Sequence, residues 1–89
     1  MAVYDAELLN EAIRDLGQLD TAIARRVHKR LYWLCSSLDS VTPEPLTGKL
    51  SGLFKLRVGD YRVLYEIVRN EKKIIIHAIG HRRDVYRRP

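Results

Sequence analysis

The stretch Leu53 to Gly80, LFKLRVGDYRVLYEIVRNEKKIIIHAIG, decides the fold. Its apolar residues recur with a period of two in three runs, Leu53 to Val58, Tyr61 to Val68 and Lys73 to Ile79, all rich in β-branched and aromatic residues. Gly59-Asp60 and Asn70-Glu71 separate the runs at hairpin spacing. Gly59 takes positive φ without strain and Asn70 tolerates it better than most residues, so both connections are predicted as tight turns of an antiparallel meander.

Working back from this stretch, Ser36 to Gly52 contains Pro43, Pro45, Gly48 and Gly52 and has no periodic pattern, which marks a loop. Before it the period is helical. Ile23, Val27, Leu31 and Leu34 form one apolar stripe on a helix capped by Asp20, while Arg25, Arg26, Lys29 and Arg30 fall largely elsewhere on it. A shorter helix is predicted from a cap at Asn10 to a stop at Gly17, with Glu11 in its first turn. Val3 to Leu9 alternates imperfectly, with Tyr4, Ala6 and Leu8 on one side, and reads as a half-buried strand. The expected fold is therefore α+β, in the order β-α-α-β-β-β. An antiparallel sheet of about four strands carries two N-terminal helices on one face, and its other face is at least partly open.

The chain has 89 residues, which is one domain over 1–89. At 46% hydrophobic and 30% charged it is far from the disordered class. The lone cysteine, Cys35, excludes an internal disulfide and fits a reducing, cytoplasmic compartment. The first residues lack the basic and apolar regions of a signal peptide, and no apolar run is long enough for a membrane span. No metal or cofactor is expected. The Cys and His residues lack zinc-site spacing, and no carboxylate or cysteine near His77 and His81 completes a convincing ligand set.

Charge is unevenly placed. Residues 1–54 carry six basic and seven acidic side chains, whereas residues 55–89 carry ten basic and four acidic. Such a field attracts phosphate backbones or an acidic protein, and on charge alone the two are equal. Alternation puts Lys55 and Arg57 on one strand face, opposite Phe54, Leu56 and Val58. In the next strand Arg62, Leu64, Glu66 and Val68 share a face, and Arg62 is the cation expected to join the strip. His81-Arg82-Arg83-Asp84-Val85-Tyr86 follows directly on the last strand. A helical turn there would point Arg82 and Tyr86 the same way. Cations favour the ionised form of a phenol beside them, so a tyrosine in such a group is a candidate general base. With arginine forks to hold phosphate oxygens, the set suits attack of an RNA 2′-hydroxyl on the adjacent phosphate. Each cation also has a plain reading as solvated surface, and Tyr86 one as a residue that docks the tail on the sheet. Tyr61 and Tyr65 are assigned to the core. Of the histidines, His28 is read as exposed or structural, while His77 and His81 alternate onto one face, with His81 next to the site.

Three segments taken together, Leu46 to Gly52 (LTGKLSG), Phe54 to Ile67 and Ile79 to Tyr86, resemble the RelE/ParE toxin superfamily over nearly the whole chain. The resemblance implies an antiparallel sheet with two N-terminal helices against it. It implies either of two activities on one scaffold: RelE-like cleavage of mRNA in the ribosomal A site, or ParE-like inhibition of DNA gyrase without cleavage. On the RelE side, Tyr86 would be the general base and Arg82 would protonate or stabilise the leaving group. Arg62 with Lys55 and Arg57 would bind and neutralise the scissile phosphate, and Lys49, Arg83 and His81 would add RNA contacts. The implied partners are a RelB-like antitoxin, the ribosome with its mRNA, and operator DNA bound only through the toxin–antitoxin complex. A further alternative is a module that binds the antitoxin and does not cleave.

Overall fold

The computed structural model describes residues 3–87. Strand β1 (Asp5–Leu8) leads into helices α1 (Asn10–Gln18) and α2 (Thr21–Ser37). A loop with the two-residue strand β2 (Glu44–Pro45) and 3-10 turns at Leu38–Ser40 and Gly48–Leu50 follows, then β3 (Phe54–Val58), β4 (Tyr61–Val68) and β5 (Lys73–His81). The three long strands form the antiparallel meander that the period of two predicts. Gly59 makes the first turn at φ +61. The second differs from expectation: Arg69–Glu71 forms a 3-10 turn, and Lys72, not Asn70, takes the left-handed conformation at φ 53.

The sheet has five strands, not four, in the order β1-β5-β4-β3-β2, and it is mixed because β1 runs parallel to β5. Asp5 to Leu8 pair with Lys73 to Ile76, so the first strand fills the free edge of the last. Helix α1 covers that edge where β1 stops, and the buried Asp15 carboxylate accepts a hydrogen bond from the Ile79 N–H at 2.9 Å. Neither helix start uses a side-chain cap. Leu9 occupies the capping position of α1, so Asn10 is already helical, and α1 runs through Gly17 to Gln18. Asp20 does precede α2, without a capping hydrogen bond.

Val27, Leu31 and Leu34 of the predicted stripe are buried, joined by Leu38, and meet Leu56, Val58, Val63, Tyr65, Ile74, Ile76 and Ile79 from the sheet. The opposite face is less open than the sequence implies. Leu64, Ala78 and Val85 are buried there, with Leu46, Leu50, Leu53 and Tyr86 packed around them. The loop before β3 and the 3-10 turn Val85–Arg87 thus form a second, smaller core on the outer face.

A bulge in β5 decides which side chains reach that face. Leu64 pairs with Ala78 but Tyr65 with Ile76, so His77 is an extra residue. Bulged residues leave the strict alternation. His77 therefore joins the outer face and hydrogen-bonds Glu66 at 2.7 Å, whereas His81, opposite Tyr61, lies on the helix side with its ring edge-on at 5.5 Å. The expectation that His77 and His81 share a face does not hold.

Candidate functional site

The outer face gathers most of the cations singled out by their spacing. Lys55 sits opposite Leu64, which sits opposite Ala78, and Val85 packs on this row with no exposed surface. Burying Val85 fixes its neighbour. Tyr86 comes to rest half-buried with its ring 6.0 Å from the Lys55 ammonium. Its hydroxyl makes no hydrogen bond among the described residues.

Arg57 and Arg62 are direct cross-strand partners. Like charges so placed destabilise an antiparallel pair unless something compensates. Here each finds an internal acceptor. The Arg62 Nη1 donates to the carbonyls of Gly59 and Tyr61, both at 2.8 Å. Arg57 donates to Glu44 at 3.1 Å, and the same carboxylate oxygen lies 4.0 Å from the Lys55 ammonium. Arg82 follows β5 at the same end. Its backbone N–H donates to the Asp60 carbonyl at 2.8 Å, and its guanidinium lies 3.9 Å from the Asp60 carboxylate.

Between Arg82 and Tyr86 the chain does not form the helical turn that would align them. The chain after β5 advances in three-residue turns, with Asp84 N–H bonded to the His81 carbonyl and Arg87 N–H to that of Asp84. At three residues per turn, positions four apart are rotated away from each other. Among the described residues no hydrogen bond, ion pair or ring contact joins them. Arg83 is exposed, and its N–H donates to His81 Nδ1 at 3.2 Å. That contact makes Nδ1 the acceptor and turns it toward the backbone of its own turn. Lys49 is exposed on its 3-10 turn and makes no ion pair among the described residues.

Glu44 and the His77–Glu66 pair are the features missed from sequence. Glu44 lies in the aperiodic proline-containing loop, and only the pairing of β2 with β3 brings it opposite Lys55. Two other titratable groups are set aside by the structure. Burial, reinforced by the charge of Glu44, pushes the Tyr65 phenol up, and burial, reinforced by Asp5, does the same to the Cys35 thiol. Both stay protonated at neutral pH and serve as packing. Among the described residues no group of three or more His, Cys, Asp or Glu is placed to hold a metal ion, and no helix is long and apolar enough to cross a membrane.

Comparison with known proteins agrees with this architecture. The family model for the ParE toxin of type II toxin–antitoxin systems matches residues 6–86. Toxin RelG of Mycobacterium tuberculosis is 33% identical over 85 residues, covering 96% of this chain and 98% of RelG. The crystal structure of the RelBE2 toxin–antitoxin complex from the same organism contains a chain of 32% identity and TM-score 0.82, covering 94% of this chain and 97% of that one. The archaeal RelE–RelB complex of Pyrococcus horikoshii contains one of 27% identity and TM-score 0.72, covering 96% and 100%. By family match, identity and fold together, the chain belongs to the RelE/ParE family and is a toxin of a type II toxin–antitoxin system.

Proposed function

We propose that this toxin is an endoribonuclease that cleaves messenger RNA in the ribosomal A site. The observation that carries the reading is the placement of the Tyr86 phenol, held by the buried Val85, on the same sheet face as Lys55, Arg57 and Arg62. Tyr86 takes the proton of the 2′-hydroxyl. The 2′-oxygen bonds to phosphorus as the bond from phosphorus to the 5′-oxygen breaks, leaving a 2′,3′-cyclic phosphate and a 5′-hydroxyl. Lys55, Arg57 and Arg62 neutralise the phosphorane, exchanging their internal acceptors for its oxygens. Arg82 stabilises the leaving 5′-oxygen, which takes its proton from water. Proton removal, phosphate neutralisation and stabilisation of the leaving oxygen all come from side chains, so the proposed reaction uses no metal ion.

A RelB-like antitoxin is the proposed partner in the cytoplasm, as in the complexes of the related proteins, with operator DNA bound through the pair. An apolar groove of about 460 Å³ between β1 and α2, lined by Val3, Leu31 and Tyr32 among others, gives such a partner apolar surface to cover.

The test is primer extension on transcripts from cells expressing the toxin. Cuts within codons are expected with the wild type, with loss of at least about 10²-fold in Tyr86→Phe and in Arg82→Ala. The match to a ParE model favours gyrase as a second target. Intact transcripts together with inhibited supercoiling would establish that reading instead. Normal growth with retained antitoxin binding would identify a non-cleaving module.

A further inference from the structure

The helix side of the β3 edge carries a second cluster of cations. Helix α2 contains four basic residues, Arg25, Arg26, Lys29 and Arg30, and no acidic one. Spacings of three and four put Arg26, Lys29 and Arg30 on one face. That face borders an open groove of about 370 Å³, lined by Arg26, Lys29, Arg30, Arg57, Val58 and Gly59. Arg26 reaches across it. Its guanidinium lies 2.8 Å from where a Cβ on Gly59 would stand, so the glycine at the turn leaves room for it.

Three features distinguish this groove from a solvated face. Arg26 and Lys29 have no ion-pair partner among the described residues. Arg30 stacks on the exposed Trp33 ring, with its guanidinium carbon 4.4 Å from the centroid, which is a pairing of cation and aromatic surface suited to nucleotides. Arg57 belongs to both sides. β2 pairs only with Phe54 and Lys55, so beyond Lys55 the β3 edge is bare and Arg57 reaches from the outer face round to the groove.

We infer that the α2 groove is a second phosphodiester-binding site, which holds RNA backbone away from the cleavage centre and joins it through Arg57. This rests on the reading of the outer face as an RNA-cleaving site. Guanidinium forks hold phosphates and carboxylates alike, and the exposed indole tips the choice to nucleic acid because it offers a face on which a base can stack.

The test is the binding of purified toxin to a fluorescent oligouridine of about a dozen nucleotides, 2′-O-methylated so that it cannot be cut, across a salt series. Arg26→Gln/Lys29→Gln is expected to bind roughly tenfold more weakly, with the salt slope reduced by about 1.4, or roughly 0.7 for each lost phosphate contact. Arg69→Gln/Lys73→Gln, with the same change in net charge elsewhere on the molecule, is expected to bind as the wild type. So is the charge-keeping Arg26→Lys/Lys29→Arg. Equal losses in both glutamine variants would reduce the effect to net charge and overturn the site. Unchanged RNA binding with loss of an oligoglutamate peptide would overturn it in favour of an acidic protein. Because the probe is uncleavable, these results are independent of the transcript map, in which intact transcripts with the wild-type toxin would sink the ribonuclease reading alone.

Discussion

At the residue scale, Asp15 shows how one side chain completes the fold. It is buried and accepts from the Ile79 N–H on the edge of β5 that no strand covers. Asp15→Ala strands that donor, and an unpaired buried N–H costs about 1–3 kcal/mol. Urea denaturation should show a loss of that size, and an unchanged midpoint would remove Asp15 from the support of the edge. Cys35 gives a prediction in pH. Its thiol is raised by burial and by Asp5 above the ordinary 9.0, so the fold favours the protonated form. The stability it contributes is whole below pH 9.0 and is lost as pH rises through the raised value. Wild type should therefore lose stability more steeply above pH 9.0 than Cys35→Ala, as followed by denaturation midpoints. Much of the site was legible at this scale, because a period of two assigns Lys55, Arg57 and Arg62 to one face. Glu44 was not legible, since its partner lies 11 positions away across an aperiodic loop and nothing local encodes that pairing.

At the scale of the element, the meander and the long helix followed from periodicity, while irregularities within elements did not. The bulge in β5 adds His77 without any marker in the sequence, and one added residue exchanges the faces of everything after it. Strict alternation therefore puts His81 on the same face as His77, whereas the bulge turns it to the helix side. The turn after β5 is a similar case, because three-residue and helical turns look alike in a short segment yet send Tyr86 in different directions. What holds that turn is Val85. Val85→Ala should cost on the order of 2 kcal/mol if its site cannot collapse. Under the proposed ribonuclease reading it should also lower the single-turnover rate of cleavage more than RNA binding, because Tyr86 remains but its position loosens. A rate equal to that of the wild type would show that the turn is held by something else.

On the scale of the whole molecule, the α+β class was readable from the change of period, but the direction of β1 was not. Its partner stands 68 residues further on, Asp5 against Lys73, and neither strand carries a local sign of orientation. The sheet depends on β5, which lies between β1 and β4 and also holds α1 and the Val85–Arg87 turn. A chain ending at Glu71 is expected to melt without cooperativity and to be digested as fast as an unfolded polypeptide, measured by circular dichroism and limited proteolysis. Synthesis runs in the opposite order to this dependence, since the strand on which the others rest emerges after them. Until β5 has emerged, the nascent chain cannot assemble the sheet face that carries Lys55, Arg57 and Arg62.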